Sequence, residues 1–203
     1  MLDRAGIFLA LVFAILLFVF GGLEYLTMML VFFVIAVIVT RYDHRKKRNM
    51  GIYEHERGWE NVLSNGFLPT VLAVANPYIG FLPFLGSLAA VTADKFASEL
   101  GVLGGQPISL ETFKEVRPGT SGAVTFLGFL MSLAGGIFIG ASAIFVFGID
   151  PNTGLLIGIA GFAGSLADSI FGILEERGFG TKGTTNFVCS LVGGVLGYLI
   201  GTM

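Results

Sequence analysis

Seven apolar stretches divide this chain, and its lysines and arginines gather in alternate connections between them. The stretches cover residues 5–20, 23–40, 61–75, 79–98, 121–147, 154–174 and 184–201, and runs of about 17–25 apolar residues match the hydrocarbon thickness of a bilayer. Threaded with the N-terminus inside, they put all twelve basic residues on one side: Arg4, Arg41, Arg45, Lys46, Lys47, Arg48, Arg57, Lys95, Lys114, Arg117, Arg177 and Lys182. Basic connections mark the cytoplasmic face. The opposite face offers Glu24, Asp150 and short turns at 76–78 and 150–152, which leaves no room there for catalytic machinery. Charged residues make up 13% of the chain, against about 25% in soluble domains, and the mean hydropathy is +0.84. The expectation is an all-α polytopic membrane protein of about seven transmembrane helices, with N-terminus and active site cytoplasmic.

The first two stretches read as a retained helical hairpin turning at Gly21-Gly22, because Asp3 offsets Arg4 and no small-residue cleavage site follows. Residues 1–58 then form a hairpin plus a basic cytoplasmic segment, and residues 59–203 a catalytic membrane domain. The run Arg45-Lys46-Lys47-Arg48, continuing to Arg57, reads first as a topology determinant and second as a headgroup or phosphate attractor. The third stretch is short and polar at its start, with Asn61, Ser64 and Asn65 ahead of Pro69, so a tilted or partly re-entrant segment is also open. Thirty glycines, mostly inside the apolar stretches, point to close helix packing. A single cysteine, Cys189, excludes an internal disulfide.

The chemistry lies in an internal repeat. Ala93-Asp94-Lys95-Phe96-Ala97-Ser98, near the inner end of the fourth stretch, is echoed by Ala167-Asp168-Ser169-Ile170-Phe171-Gly172 in the sixth. Across the next loop each is followed by a related helix start, Pro118-Gly119-Thr120-Ser121 and Lys182-Gly183-Thr184-Thr185-Asn186. A parallel two-helix repeat arranges its copies about an axis along the membrane normal, with sites at their interface, so Asp94 and Asp168 are expected to face one another. Carboxylates inside a bundle are expensive and call for a partner. Two at one depth suggest a shared hard cation such as Mg²⁺, which takes oxygen ligands and keeps waters and phosphates as its remaining partners. Pairing with a neighbouring lysine or capping of the backbone is the plainer alternative.

Helix starts expose unpaired N–H groups and a positive dipole end, where anions bind. Gly119, Thr120, Ser121, Gly183 and Thr184 are therefore candidate phosphate contacts, with Thr120, Ser121, Thr184 and Thr185 equally suited to capping. Arg117 and Lys182 supply positive charge beside them. Asn65, Asn186 and Glu99 lie at the same depth, where an amide or carboxylate can reach a metal or a phosphate; Glu99 is a candidate third metal ligand, and Asn65 and Asn186 are candidate contacts to the bound group. Glu175 and Glu176 read as ordinary loop charges. His44 and His55 are too isolated to argue a metal or nucleophilic site, and no P-loop, dinucleotide fingerprint, zinc-protease motif or serine-hydrolase elbow occurs.

From Trp59 onward the chain resembles the integral-membrane family that contains phytyl-phosphate kinase. The resemblance is carried by residues 62–69 (VLSNGFLP), 93–101 (ADKFASELG), 112–122 (TFKEVRPGTSG) and 164–169 (GSLADS). From Ala167-Asp168 through Lys182-Gly183-Thr184 it is more weakly similar to dolichol kinase, phytol kinase and CDP-archaeol synthase. That family often reads Ala-Asp-Thr, where Lys95 and Ser169 stand here. The resemblance implies CTP, or another nucleoside triphosphate, with Mg²⁺ acting on an isoprenoid lipid phosphate. The expected activity is transfer of a phosphoryl group to an isoprenyl monophosphate, with Asp94, Asp168, Lys182 and Arg117 at its centre. Such an acceptor is already ionised and needs no strong general base. A polyprenol kinase or lipid cytidylyltransferase is the alternative among enzymes, and an ion-coupled transporter the alternative outside them. Partners are the lipid substrate, the nucleotide and membrane lipid; no nucleic acid is expected, and an oligomer is left open.

Overall fold

The computed structural model describes residues 3–51 and 58–203; Arg57 and His55 lie outside them. The described residues are mostly helical, and a helix satisfies its own backbone where water is absent. The helices are α1 (Arg4–Leu16), α2 (Leu23–Arg41), α3 (His44–Asn49), α4 (Trp59–Val74), α5 (Asn76–Ile79), α6 (Leu82–Leu100), α7 (Phe126–Phe147), α8 (Pro151–Glu176) and α9 (Lys182–Gly201). A π-helical turn, Leu17–Gly21, continues α1, and Gly22 at φ 91° turns the chain into α2.

Among the described residues, five spans are long and apolar enough to cross a membrane: Arg4–Gly21, Leu23–Arg41, Phe126–Phe147, Pro151–Glu176 and Lys182–Gly201. The expected count of seven also needs α4 and α6. Helix α6 is the centre of the bundle, packed on α2, α4, α7, α8 and α9, and buries every residue from Pro83 to Ala93. A helix enclosed by other helices meets little lipid, so it can carry Ser87, Thr92 and Asp94 and still sit at membrane depth. At 19 residues it is about 28 Å long, close to the hydrocarbon thickness.

The first two helices go separate ways: α1 lies against α4, and α2 against α6 and α7. The N-terminal pair therefore clasps the bundle on two sides. Its inner surface joins the core through Leu17, Tyr25, Met28, Phe32 and Ala36 against Phe84, Leu85 and Leu88. At the end away from the carboxylates, Tyr25, Phe84 and Phe147 form an aromatic cluster, with ring centroids 4.8 Å apart for Tyr25–Phe84 and 5.1 Å for Tyr25–Phe147.

Glycines set the helix spacing. A Cβ on Gly86 of α6 would collide with the backbone carbonyl of Gly193 in α9, and one on Gly140 of α7 with that of Gly154 in α8. Backbone cannot swing aside as a side chain can. Gly193→Val is expected to cost about 3 kcal/mol or more through overpacking, read as a lower melting temperature in detergent. Gly58→Ala, where the added carbon meets nothing nearer than 3.7 Å, is expected to melt like the parent.

At the opposite end of the bundle from α6's carboxylate, Asp150 caps α8, accepting from the amides of Asn152 at 2.9 Å and Thr153 at 3.2 Å. The Thr153 hydroxyl, then its amide, hold the Asp150 carboxyl below its ordinary range. A lowered folded pKa gives stability that is present above the unfolded value of about 3.9 and lost as pH falls through the folded one. Thermal melts from pH 7 downward are expected to show an acid-side loss that is reduced in Asp150→Asn.

Residues 101–125 depart from the sequence reading. The helix expected from residue 121 begins at Phe126, with Thr125 as its N-cap accepting from Gly128 N–H at 2.9 Å. Gly119, Thr120 and Ser121 lie instead in a loop closed by a small antiparallel ribbon, β1 (Ile108–Ser109) with β2 (Ala123–Val124), paired Ile108 to Val124 and Ser109 to Ala123. Gly119 at φ 90° and Gly122 at φ 70° explain why no helix starts there.

Candidate active site

Helices α4 and α9 begin, and α6 and α8 end, at the same end of the bundle. That alternation brings four sequence-distant polar segments together. Asp94 of α6 and Asp168 of α8 lie side by side, close enough to interact directly. Thr185 and Lys182, from the first turn of α9, are also neighbours of Asp168, and the Thr185 hydroxyl donates to the Lys182 carbonyl at 3.0 Å. Despite these neighbours, Asp168 Oδ1 is buried with no hydrogen bond of its own.

The start of α9 is a well-capped helix terminus. Its N-cap is Thr181, whose side chain and that of Thr184 form a reciprocal capping box. The N-cap itself is Thr181, and of the two expected caps Thr184 takes part through the box while Thr185 does not. Thr184 serves the box from an exposed position, and Thr185 is buried and turns inward, where its hydroxyl lies 3.4 Å from Glu175 Oε2. Gly183 follows at the second helical position, leaving the approach to the first-turn amides open. Thr185 is a site residue that the sequence reading treated only as a cap; its place one turn after Thr181 was the available signal. Glu175, read as a loop charge, reaches this hydroxyl from the end of α8.

Asn186 is 7% exposed and links α9 to α4 through a 3.4 Å contact between its amide nitrogen and Ser64 Oγ. Its Oδ1 is the second buried oxygen in this cluster without a partner. Asn65, also buried, donates to the Asn61 carbonyl at 2.7 Å and contacts Ser64 Oγ at 3.3 Å, so it braces Ser64 under Asn186. Deeper in, Cys189 donates to the Ala90 carbonyl at 3.4 Å, and the Ser87 and Ser190 hydroxyls meet at 2.6 Å between α6 and α9. These contacts close the floor of the cluster.

Glu99 is drawn elsewhere. Its Oε2 accepts from Lys47 Nζ at 3.0 Å, and its Oε1 lies 3.1 Å from the Thr40 hydroxyl and 3.5 Å from Lys95 Nζ. Among the described residues no three His, Cys, Asp or Glu side chains converge as a metal-binding group. The expected trio of Asp94, Asp168 and Glu99 therefore reduces to the two aspartates. Five residues beyond Asp94, Glu99 sits well over a turn further along α6 and faces the basic segment.

Arg117 is exposed, on the loop that leans against α8. Gly122 and Gly172 pack backbone to backbone there, one turn beyond Asp168. Gly122 combines a left-handed φ with this close approach, so a side chain is excluded twice over. The Arg177–Glu111 pair, at 2.7 Å, fastens the same loop to the end of α8.

Comparison with known proteins fits this architecture. The chain is 37% identical over 205 residues to uncharacterized membrane protein MJ0933 of Methanocaldococcus jannaschii, covering 98% of this chain and 85% of that protein. It is 32% identical over 196 residues to Protein PGR of Arabidopsis thaliana, covering 78% and 67%. With Protein VTE6, chloroplastic, of the same plant it shares 26% over 185 residues, covering 85% of this chain and 56% of that one. No solved structure matches. Residues 1–195 match the family described as integral membrane protein DUF92, and the chain belongs to that family.

Proposed function

We propose that this protein transfers a phosphoryl group from a nucleoside triphosphate, CTP by preference, to an isoprenyl monophosphate at the cytoplasmic membrane face. The observation that carries the reading is the Asp94–Asp168 pair beside the start of α9, with Asp168 Oδ1 and Asn186 Oδ1 buried and unpartnered. Two carboxylates side by side repel one another and call for a counter-charge. An all-oxygen set of two carboxylates fits Mg²⁺, which is commonly held by one or two carboxylates plus substrate phosphates. Asp94 and Asp168 would hold the ion, and bound there it would neutralise charge on the nucleotide phosphates.

The chain's own residues account for the rest. Lys182 and the first-turn amides of α9 receive phosphate oxygens. Thr185 orients Asp168, and Asn186 offers an acceptor to a ribose or base donor. Arg117, on the loop beside α8, adds positive charge from the solvent side. In the transfer, an acceptor phosphate oxygen bonds to the γ-phosphorus while the bond from that phosphorus to the bridging oxygen breaks, releasing the nucleoside diphosphate. Such reactions need mainly positioning and charge stabilisation, and an ionised acceptor dispenses with a general base. The unbroken burial of Pro83–Ala93 beyond Asp94 favours a one-sided enzyme over a pathway through the bundle. The motif resemblance to the phytyl-phosphate kinase family supports the choice of lipid.

The test incubates detergent-purified protein with Mg²⁺, labelled CTP or ATP, and phytyl or geranylgeranyl monophosphate beside the matching alcohols. The expected products are the isoprenyl diphosphate and a nucleoside diphosphate. Release of pyrophosphate with a cytidylylated lipid, or no turnover of any lipid, would overturn the assignment.

A further inference from the structure

The basic segment after α2 carries more structure than a topology signal requires. Lys47 of α3 is 2% exposed and fully engaged, donating to the carbonyls of Val39 at 2.9 Å and Thr40 at 3.1 Å and to Glu99 at 3.0 Å. Orienting a protein in a membrane takes only charge on the right side and no fixed geometry. Here one lysine is spent on pinning the turn to α6, which leaves Arg41, Arg45 and Lys46 exposed at a set place.

That place is the mouth of a groove. A cavity of about 440 Å³ lies between the end of α2, the turn after α6 and the start of α7, walled by Ile38, Leu103, Leu127 and Met131, with Tyr42 and Asp43 at its basic end. Lys46 Nζ lies 3.3 Å from the carbonyl of Leu103, so its ammonium stands on the rim. The groove joins the end of one membrane span, Leu23–Arg41, to the beginning of another, Phe126–Phe147. It therefore opens at the boundary between hydrocarbon and headgroups. Asp43 offsets part of the charge, but the exposed Arg41, Arg45 and Lys46 within three residues of it in the chain outnumber it.

We propose that this groove is a specific site for an anionic membrane phospholipid, with its headgroup phosphate at Lys46 and Arg45 and one apolar chain along Ile38, Leu127 and Met131. Basic pockets between membrane helices recognise anionic headgroups in this way, and the volume falls within the range of small-molecule sites, about 300–1,000 Å³. The site is separate from the carboxylate pair. Leu100, at the groove's α6 end, is six residues past Asp94, which places it on a different face of that helix. Lipid binding there does not depend on the reaction at the carboxylate pair.

Native mass spectrometry of the full chain from detergent, with phosphatidylglycerol and phosphatidylcholine of matched chains, tests it. The parent is expected to retain one phosphatidylglycerol in preference to phosphatidylcholine, by about tenfold. Lys46→Glu and Ile38→Trp are each expected to abolish that preference, the first at the headgroup and the second by filling the groove, while Lys46→Arg keeps it. Equal retention of the two lipids, or a preference that survives Lys46→Glu, would overturn the proposal. So would a preference unaffected by Ile38→Trp and removed by inorganic phosphate, which would mean a surface anion contact without a seat for the chain.

Discussion

Asp168→Asn is expected to lower isoprenyl phosphate turnover by about a hundred- to a thousand-fold, the range seen when a single charge-stabilising group is removed from a reaction centre. Asparagine keeps the size of the side chain and removes the charge, so the local packing is left as it was. Asp94→Asn should match it, because the two carboxylates form one unit from two helices. The double variant should then lose little more than either single one, since residues acting as a unit are strongly non-additive. Thr185→Val, which removes the hydroxyl beside Asp168, should lower activity less, and Thr184→Val should act mainly through the helix cap. Parallel thermal melts separate these outcomes from unfolding. A melting temperature that rises in Asp168→Asn alongside lost turnover would fit a carboxylate kept for chemistry at the expense of stability.

The second large effect concerns stability. Lys47→Met leaves Glu99, 15% exposed, without its closest cation. Breaking a buried pair from one side costs about 3–5 kcal/mol; Lys95 at 3.5 Å and the partial exposure of Glu99 put this case at the lower end. Replacing both partners, as Lys47→Met with Glu99→Leu, should recover much of the loss, because two apolar groups of similar size leave no orphaned charge. A double-mutant cycle on detergent melting temperatures gives the coupling. If Glu99 instead served the carboxylate site, the double-mutant cycle would give no Lys47–Glu99 coupling and Glu99→Leu would remove activity.

How far the sequence disclosed this arrangement depended on how local each signal was. The spans of α2, α7, α8 and α9 follow from apolar length alone, and Asp94 and Asp168 stood out because buried charge is rare in such stretches. The repeat of Ala-Asp identified their kinship and led to the expectation that they face one another, and the packed bundle places them side by side. The Gly-Thr parallel held for α9 and failed before α7. Gly119 and Gly122 sit at positive φ, and a chain that must turn twice within four residues cannot open a helix there. Glu99 carried the right chemistry at the wrong angular position: five residues from Asp94 is well over a turn, and Lys47, 52 residues earlier in the chain, takes it. Nothing local could have announced that pair. Thr185 was hidden for a related reason, since a threonine in a first helical turn reads as a cap until the partner helix is known.

The most direct test of the carboxylate pair as a cation–nucleotide site is Mn²⁺ binding followed by electron paramagnetic resonance, with and without CTP, for the parent, Asp94→Asn and Asp168→Asn. One Mn²⁺ is expected to be held more tightly when CTP is present, and a carboxylate site requires loss of that binding in both variants while each remains folded. Mn²⁺ bound equally well by the parent and both variants would contradict it.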